Sequence, residues 1–344
     1  MNKPIAPSID VIIPVYNAPL LTKRCIDSVI IHLAQTIRTI YIQDDESGNE
    51  TREMLDSLPY KQVNIFHSPK NQGFGKSVNE AVARSDADFV LVLNSDTEVY
   101  ENFLPLLCRA LAIDPKLAAI SPAHNNFAKH TLERYIRQPG DYIATYRFKG
   151  HAFLIRRATF ISIGRFDLAF GRGYFEDTDL GRRLDQQGWR MGVHPNTYIH
   201  HEGGASYGRG QSYQSLIEHN RALYLSRYPD ASCNILLISG KCTMTDLSIK
   251  LTDAMERVFR QGGSVHWLSP LPLPQLSCLQ MHNSPASIMS TFRLMLRGWS
   301  RKDKRISEVW ILPGASALLR VLLAVFIRAR KLKVKKWETV TSES

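Results

Sequence analysis

Cysteine is scarce in this chain: Cys25, Cys108, Cys233, Cys242 and Cys278 are the only five in 344 residues. Their number is odd and no two form a Cys-x-x-Cys pair. That excludes a disulfide framework and a zinc ribbon, and it fits reduced thiols in a cytosol. Also missing is any run of the ~20 apolar residues that a membrane span needs. Residues 1–8 are short, polar and proline-containing, so no signal peptide is expected ahead of the first strand. No Gly-x-x-x-x-Gly-Lys-Ser/Thr occurs, which excludes a P-loop. No Gly-x-Gly-x-x-Gly follows the first apolar run, which excludes the dinucleotide fingerprint. Helix-turn-helix and zinc-finger spacings are absent too.

What is present is the make-up of an ordinary globular protein. Hydrophobic residues are 44% and charged residues 22%, enough for a sizeable core in one large domain or two. Charge is unevenly spread. Residues 1–231 hold 26 Lys+Arg against 25 Asp+Glu, whereas residues 232–344 hold 17 against 7. Nearly all of the net charge of +11 therefore sits in the C-terminal third. Such asymmetry points to an anionic partner, either membrane lipid or nucleic acid.

Phe89-Val90-Leu91-Val92-Leu93 reads as a strand buried on both faces, and it ends in Asn94-Ser95-Asp96. In open parallel sheets ligands bind beyond the carboxyl ends of the strands, where Asp96 falls. A hard divalent cation carrying a diphosphate needs only one or two protein oxygens there; a plain turn is the alternative. Upstream, a strand over 10–17 leads to a helix over 19–35. A strand over 39–43 runs into Asp44-Asp45-Glu46-Ser47-Gly48, then come a helix over 50–57 and a strand over 63–66. Asn71-Gln72-Gly73-Phe74-Gly75-Lys76 follows, with a helix over 76–84. This alternation predicts an α/β fold with a parallel, doubly wound sheet and right-handed connections. Asn17, Asp44 and Asp96 are then expected to line one crevice. Gly73 and Gly75, beside Lys76, let backbone approach a phosphate or a base.

Beyond a helix over 101–116 and a strand over 117–121, an irregular section to about residue 146 suits a mobile loop over a substrate. Phe148 to Arg157 reads as a strand leading into a helix over 158–163. Glu176, Asp177 and Asp179 are three carboxylates within four residues, so at least one is expected to rise in pKa or be drawn to a cation. At the start of a helix over 177–188 they also suit its N-terminal dipole, the plainer reading of Asp177 and Asp179. Arg182 and Arg183, one turn on, can pair with them. A strand over 189–195 leads to His200-His201-Glu202-Gly203-Gly204. Adjacent histidines on a strand point to opposite faces, so one of the two at most can join a carboxylate-bound cation. A hydrogen-bonded core histidine is the alternative.

An ordered set of these segments resembles glycosyltransferase family 2, inverting enzymes with the GT-A fold, over about residues 8–225. The set is Pro14-Val15-Tyr16-Asn17, Asp44-Asp45-Glu46-Ser47, Asn71 to Gly75 with Asn79, Asn94-Ser95-Asp96, Phe175 to Leu180 with Arg183, and His200 to Gly204. The resemblance is greatest to the bacterial branch that builds O-antigens and capsules, where rhamnosyl, galactosyl and hexosaminyl transferases occur. It implies a GT-A catalytic domain over 1–231 that takes a UDP- or dTDP-sugar and passes the sugar to a glycan or polyprenyl-linked acceptor. Asp44 would meet the base, with Pro14, Val15, Tyr16 and Asn17 nearby, and with Asp45, Gly73, Lys76, Asn94 and Ser95 completing the donor site. The family pattern has Asp-Asn where this chain has Asp44-Asp45, so which of the two meets the base stays open. Asp96 would hold Mn2+ or Mg2+ as the last carboxylate of an Asp-x-Asp-like motif whose first position here is Asn94. His201 fits the family's metal-ligand histidine better than His200. Asp177 would be the general base with Glu176 its neighbour, and Gly150, His151 and Arg183 would serve the donor and acceptor loop.

The last third alternates again: a strand over 234–240, a helix over 245–261, a strand over 264–268, a helix over 284–298, a strand over 308–312 and a helix over 314–335. A small α/β accessory region over 232–344 is expected. Leu318, Leu319, Val321, Leu322, Leu323, Val325, Phe326 and Ile327 form an apolar block, interrupted by Arg320 and followed by Arg328, Arg330, Lys331, Lys333, Lys335, Lys336 and Trp337. That composition suits a helix at 314–337 lying on anionic lipid, or a core helix with a solvated basic tail. A place at the inner face of the cytoplasmic membrane would suit a lipid-linked acceptor. The competing class is a non-catalytic glycan- or nucleic-acid-binding protein. Aromatic residues are not interleaved with the basic run, so no nucleic-acid partner is expected.

Overall fold

The apolar runs near the N-terminus become the centre of a sheet. In a computed structural model of the chain, residues 7–125, 132–203, 211–231, 233–297 and 305–339 are described. They divide into two compact units: Met1–Leu132, Arg137–Ala144 and Phe148–Arg227 in one, and Glu133–Ile136, Thr145–Arg147 and Tyr228–Ser344 in the other. The junction falls at Arg227 rather than at residue 231, and two short stretches of the irregular section belong to the second unit.

In the first unit, β1 (Ile9–Val15), α1 (Pro19–Leu33), β2 (Ile40–Asp44), α2 (Asn49–Asp56), β3 (Val63–His67), α3 (Phe74–Arg84) and β4 (Phe89–Leu93) alternate as expected. There follow β5 (Thr97–Val99), α4 (Leu104–Ile113), β6 (Leu117–His124), β7 (Arg137–Gln138), β8 (Tyr142–Thr145) and β9 (Ala152–Arg156). The unit closes with α5 (Arg157–Ser162), α6 (Glu176–Gln186), β10 (Arg190–His201) and α7 (Gln211–Arg227). Strand order is β3-β2-β1-β4-β9-β6-β10-β8-β7, with β5 paired to β10. Strands β1 to β4 run parallel, and β9 enters antiparallel between β4 and β6.

The two-residue period of a strand sends alternate side chains to opposite faces. Ile13, Leu91 and Leu93 pack with Ile26, Val29 and Leu107 on one side. Ile12, Val90 and Val92 pack with Val78, Phe160 and Leu180 on the other. All five residues of β4 are buried, so the sheet carries a hydrophobic layer on each face. Its polar strand ends are what remain for chemistry.

Several expected elements change length for local reasons. The helix expected over 101–116 is trimmed to Leu104–Ile113. Pro105 is favoured in its first turn and Pro115 bars its continuation. The strand expected over 148–157 begins only at Ala152. The strand expected over 189–195 runs on to His201, and a register shift against β6 between His194 and Tyr198 accommodates Pro195.

The second unit contains β11 (Asn234–Ile238), α8 (Ile249–Arg260), β12 (Ser264–Ser269), β13 (Met281–Pro285), α9 (Ile288–Arg297), β14 (Glu308–Ile311), α10 (Ala317–Arg330) and β15 (Lys333–Lys336). Its sheet has the order β13-β12-β11-β14-β15, parallel throughout. Two expectations are corrected here. The helix expected over 284–298 starts at Ile288, after a strand. The helix expected over 314–337 stops at Arg330, where Lys331 takes a left-handed cap with φ 51°. Lys333–Lys336 is instead an exposed edge strand on β14, with lysines blunting the edge. Residues 126–131 of the expected loop, with Gly204 and Gly298, lie outside the described residues.

Candidate active site

Parallel strands bring the segments that follow β1, β2 and β4 to one edge of the first sheet. They border a cavity of about 530 Å³. Of the residues expected in a site, Pro14, Val15, Tyr16, Asp45, Asn94, Ser95, Asp96, Gly150, His151, Glu176, Asp177 and His201 line it. Asn17, Asp44, Gly73, Lys76 and Arg183 are not among its lining residues.

Each of those five has another task. Asn17, at φ 57°, donates its backbone N–H to Ser47 Oγ at 2.8 Å and accepts from the Gly48 N–H at 2.9 Å, tying two strand-end loops together. Asp44 is fully buried and accepts from Ser47 N, Arg52 Nε and His67 Nδ1 at 3.0, 3.2 and 2.8 Å. Its neighbour Asp45 points the other way, lines the cavity and accepts from the Gln72 and Gly73 N–H groups at 2.7 and 2.8 Å. Gly73 has φ 89°, and a Cβ there would lie 2.5 Å from Arg172 Cα, so the turn admits only glycine. Lys76 faces Glu80 along α3 at 3.8 Å. Arg183 is a brace on α6: it pairs with Asp179 at 2.7 Å and donates to the Ile163 and Arg165 carbonyls at 2.6 and 2.7 Å.

Asp96 and His201 meet at the cavity, Oδ1 to Nε2 3.2 Å, while Asp96 Oδ2 accepts from the Gly203 N–H at 3.2 Å. His200, on the opposite face of β10, turns to Glu202 at 3.4 Å. Of the two histidines, His201 is the one beside the carboxylate. Among the described residues no group of three or more His, Cys, Asp or Glu is arranged to hold a metal ion. One carboxylate and one imidazole nitrogen suit a cation whose remaining positions go to phosphate and water, as Mg2+ and Mn2+ prefer.

His201 belongs to a cluster of three imidazole rings. His151 lies parallel to it, 4.5 Å away with a 5° interplanar angle, and His124 meets His151 edge-on at 4.4 Å. Topology explains the meeting. The carboxyl ends of β6 and β10 and the amino end of antiparallel β9 fall at the same sheet edge, and the three histidines sit there. Burial first, then the charges of His201, His124 and Lys149, pushes His151 well below the usual imidazole range. His124 is pushed down to about 4, by burial and then by Lys149 and His201.

Asp177 lies in the first turn of helix α6. Its Oδ2 accepts from the Gly150 N–H at 3.0 Å and its Oδ1 from the Thr178 N–H at 2.6 Å. A Cβ on Gly150 would lie 3.0 Å from Asp177 Cβ and 3.3 Å from Oδ2. Gly150→Ala is therefore expected to shift the carboxylate and lower kcat by roughly a hundredfold, with donor KM little changed in steady-state assays. Unchanged kcat would mean that the Asp177 position is not critical.

Glu176 is buried at the cavity wall, and its carboxyl is pushed up to about 8, by burial first and then by the Asp177 charge. One of the three clustered carboxylates does rise, as expected. Its folded pKa lies above the ordinary 4.5, so the stability it contributes is complete below that value and is lost as pH rises through about 8. Between the ordinary 4.5 and about 8, melting midpoints should fall more steeply with rising pH for the natural protein than for Glu176→Gln. Parallel curves would contradict this.

The preceding loop is strained: Tyr174 and Phe175 have φ of 70° and 74°. Buried Asn220 on α7 holds it, donating to the carbonyls of Phe170, Gly173 and Tyr174 at 2.7, 2.7 and 3.1 Å. Sequence patterns give no signal for Asn220. Nor do they single out Ser77, His124, Lys149 or Tyr174, all of which line the cavity. Four buried atoms in its walls, Ser77 Oγ, Asn94 Oδ1, His151 Nε2 and Glu176 Oε2, have no hydrogen-bond partner among the described residues.

Residues 10–170 match the family model described as glycosyl transferase family 2. This segment is a family 2 glycosyltransferase domain. An N-acetylglucosaminyltransferase of Rhizobium sp. (strain N33) is 33% identical to this chain over 117 residues, 33% of this chain and 26% of that protein. Another, of Mesorhizobium japonicum, is 36% identical over 95 residues, 26% of this chain and 22% of that protein. The chain spans about a quarter of the length of these curated relatives. The solved mannosyltransferase PcManGT from Pyrobaculum calidifontis, in complex with GDP-Man and Mn2+, is similar with a TM-score of 0.51. It is 17% identical, over 65% of this chain and 64% of that one. The first unit has the GT-A fold expected of its motifs.

Proposed function

We propose that this protein transfers a sugar from a nucleotide diphosphate to an acceptor hydroxyl with inversion at the anomeric carbon. The observation that carries this reading is the convergence of Asp96, His201 and Asp177 on one cavity. Buried polar atoms are nearly always hydrogen-bonded, so the four unpartnered ones in its walls favour a polar ligand of the donor's kind.

Inversion needs a base that takes the acceptor's proton while its oxygen attacks the face opposite the leaving group. Asp177 is that base, aimed by the Gly150 and Thr178 N–H groups. Glu176, neutral at pH 7, donates to the ligand without adding a second charge beside the base. Val15, Tyr16 and Asp45 border the nucleoside. Asp96 and His201 would hold Mn2+ or Mg2+, which when bound neutralises the charge growing on the departing diphosphate. Lys149 adds a protein cation at the same wall.

The donor is a UDP- or dTDP-sugar, and the names of the rhizobial relatives put a hexosaminyl sugar ahead of a deoxyhexosyl one. The acceptor is a glycan or polyprenyl-linked chain of a bacterial surface polysaccharide. The test is release of nucleoside diphosphate from a panel of UDP-, dTDP- and GDP-sugars with Mn2+. Turnover of one donor class is expected, and silence across the whole panel with both Mn2+ and Mg2+ would contradict the reading.

A further inference from the structure

The second unit presents a face that sugar transfer does not use. From β13 the chain crosses to β14 and from there to β15, moving in one direction across the sheet. Right-handed crossovers then place α9 and α10 on the same side. Leu294 and Met295 of α9 and Leu323 of α10 are buried in one cluster with Leu236 and Val309. The outer sides of both helices are left to solvent.

Those outer sides are apolar. On α9, Met289, Phe292 and Leu296 are 72%, 45% and 53% exposed. On α10, Leu318, Val321 and Val325 are 56%, 66% and 72% exposed. Each trio follows the same three-then-four spacing, which makes a stripe along one helix side. Scattered apolar residues on a surface mean nothing, but two stripes on neighbouring helices form a patch of the kind that marks an interaction site.

Charge selects the partner. Neither helix contains an Asp or Glu, nor does β15. Arg293, Arg297, Arg320 and Arg328 stand exposed on the two helices. The geometry points to a membrane-docking face, on which α9 and α10 lie side by side on an anionic bilayer. The six apolar side chains enter the acyl boundary and the arginines meet lipid phosphates. Among the described residues no helix is long and apolar enough to cross a membrane, so the contact is interfacial. Two copies of this face would bring arginines against arginines, and nucleic acid would leave the apolar stripes without a partner. The helix expected at 314–337 is only half of this surface. Leu319 and Leu323 of α10 are spent on the core, and α9 supplies the other half.

The test is co-sedimentation of the full chain with vesicles of equal parts phosphatidylglycerol and phosphatidylcholine, and with phosphatidylcholine alone. The natural protein should pellet with the anionic vesicles and much less with the neutral ones. Val321→Glu with Val325→Glu, and separately Phe292→Glu, should weaken anionic-vesicle binding by roughly tenfold or more, with melting midpoints unchanged because the sites are exposed. Arg320→Gln with Arg328→Gln should weaken it less and reduce its salt dependence. A natural protein that stays in solution with anionic vesicles would overturn the inference, as would equal pelleting of the Val321→Glu, Val325→Glu variant. So would a dimer by light scattering that this variant turns into a monomer.

Discussion

Asp177→Asn is expected to lower kcat by about 10²–10⁴-fold, the usual worth of a positioned general base. The amide keeps the shape of the carboxylate but has no affinity for the acceptor's proton. One of its two positions becomes an NH₂ facing a backbone N–H, either that of Gly150 or that of Thr178, which in the natural protein donate to Oδ2 and Oδ1. That mismatch costs about 1 kcal/mol of stability, so the variant should fold with a slightly lower melting midpoint. The donor KM should hold, because the proton is taken only in the transition state. Steady-state kinetics with the identified donor, read beside a melting curve, separates loss of chemistry from loss of fold. Near-natural kcat would remove Asp177 from the mechanism.

Asp96→Ala is expected to lower kcat/KM by about 10³-fold, the scale of losing charge stabilisation at the leaving group. The Asp96 carboxylate is the acidic group paired with His201, at 3.2 Å. His201→Ala should cost less, roughly tenfold to a hundredfold, since the carboxylate remains. The readout that distinguishes this from a structural defect is Mn2+ binding followed by electron paramagnetic resonance. Asp96→Ala should lose it and His201→Ala should weaken it. Equal Mn2+ affinity in all three proteins would place the cation elsewhere.

Much of this site is legible along the chain because a parallel sheet collects strand ends. An apolar run such as Phe89 to Leu93 announces a buried strand, and the polar residues after it fall at the shared edge. Asp96, Asp177 and His201 are found by that logic together with the family pattern. What fails is direction and partnership. The four apolar residues Ala152 to Ile155 do not reveal that β9 runs antiparallel, and so the meeting of His124, His151 and His201 is not foreseeable.

The orientation of single side chains is equally hidden. Asp44 and Asp45 are chemically alike, but one step along a strand end sends Asp44 to Arg52 and His67 and Asp45 to the cavity. Arg183 carries a family motif into a bracing role that only its carbonyl partners disclose. In the second unit, Lys333 to Lys336 continues the basic character of α10. Its change from helix to strand is set by pairing with β14, a long-range event without a local signature.

Isothermal titration of nucleoside diphosphate into the full chain, with Mn2+ and then with a chelator in its place, tests most directly that one cavity holds both cation and diphosphate. UDP or dTDP should bind the natural protein only when Mn2+ is present, and Asp96→Ala should show no heat in either condition. Binding that is indifferent to both Mn2+ and Asp96 would contradict the account.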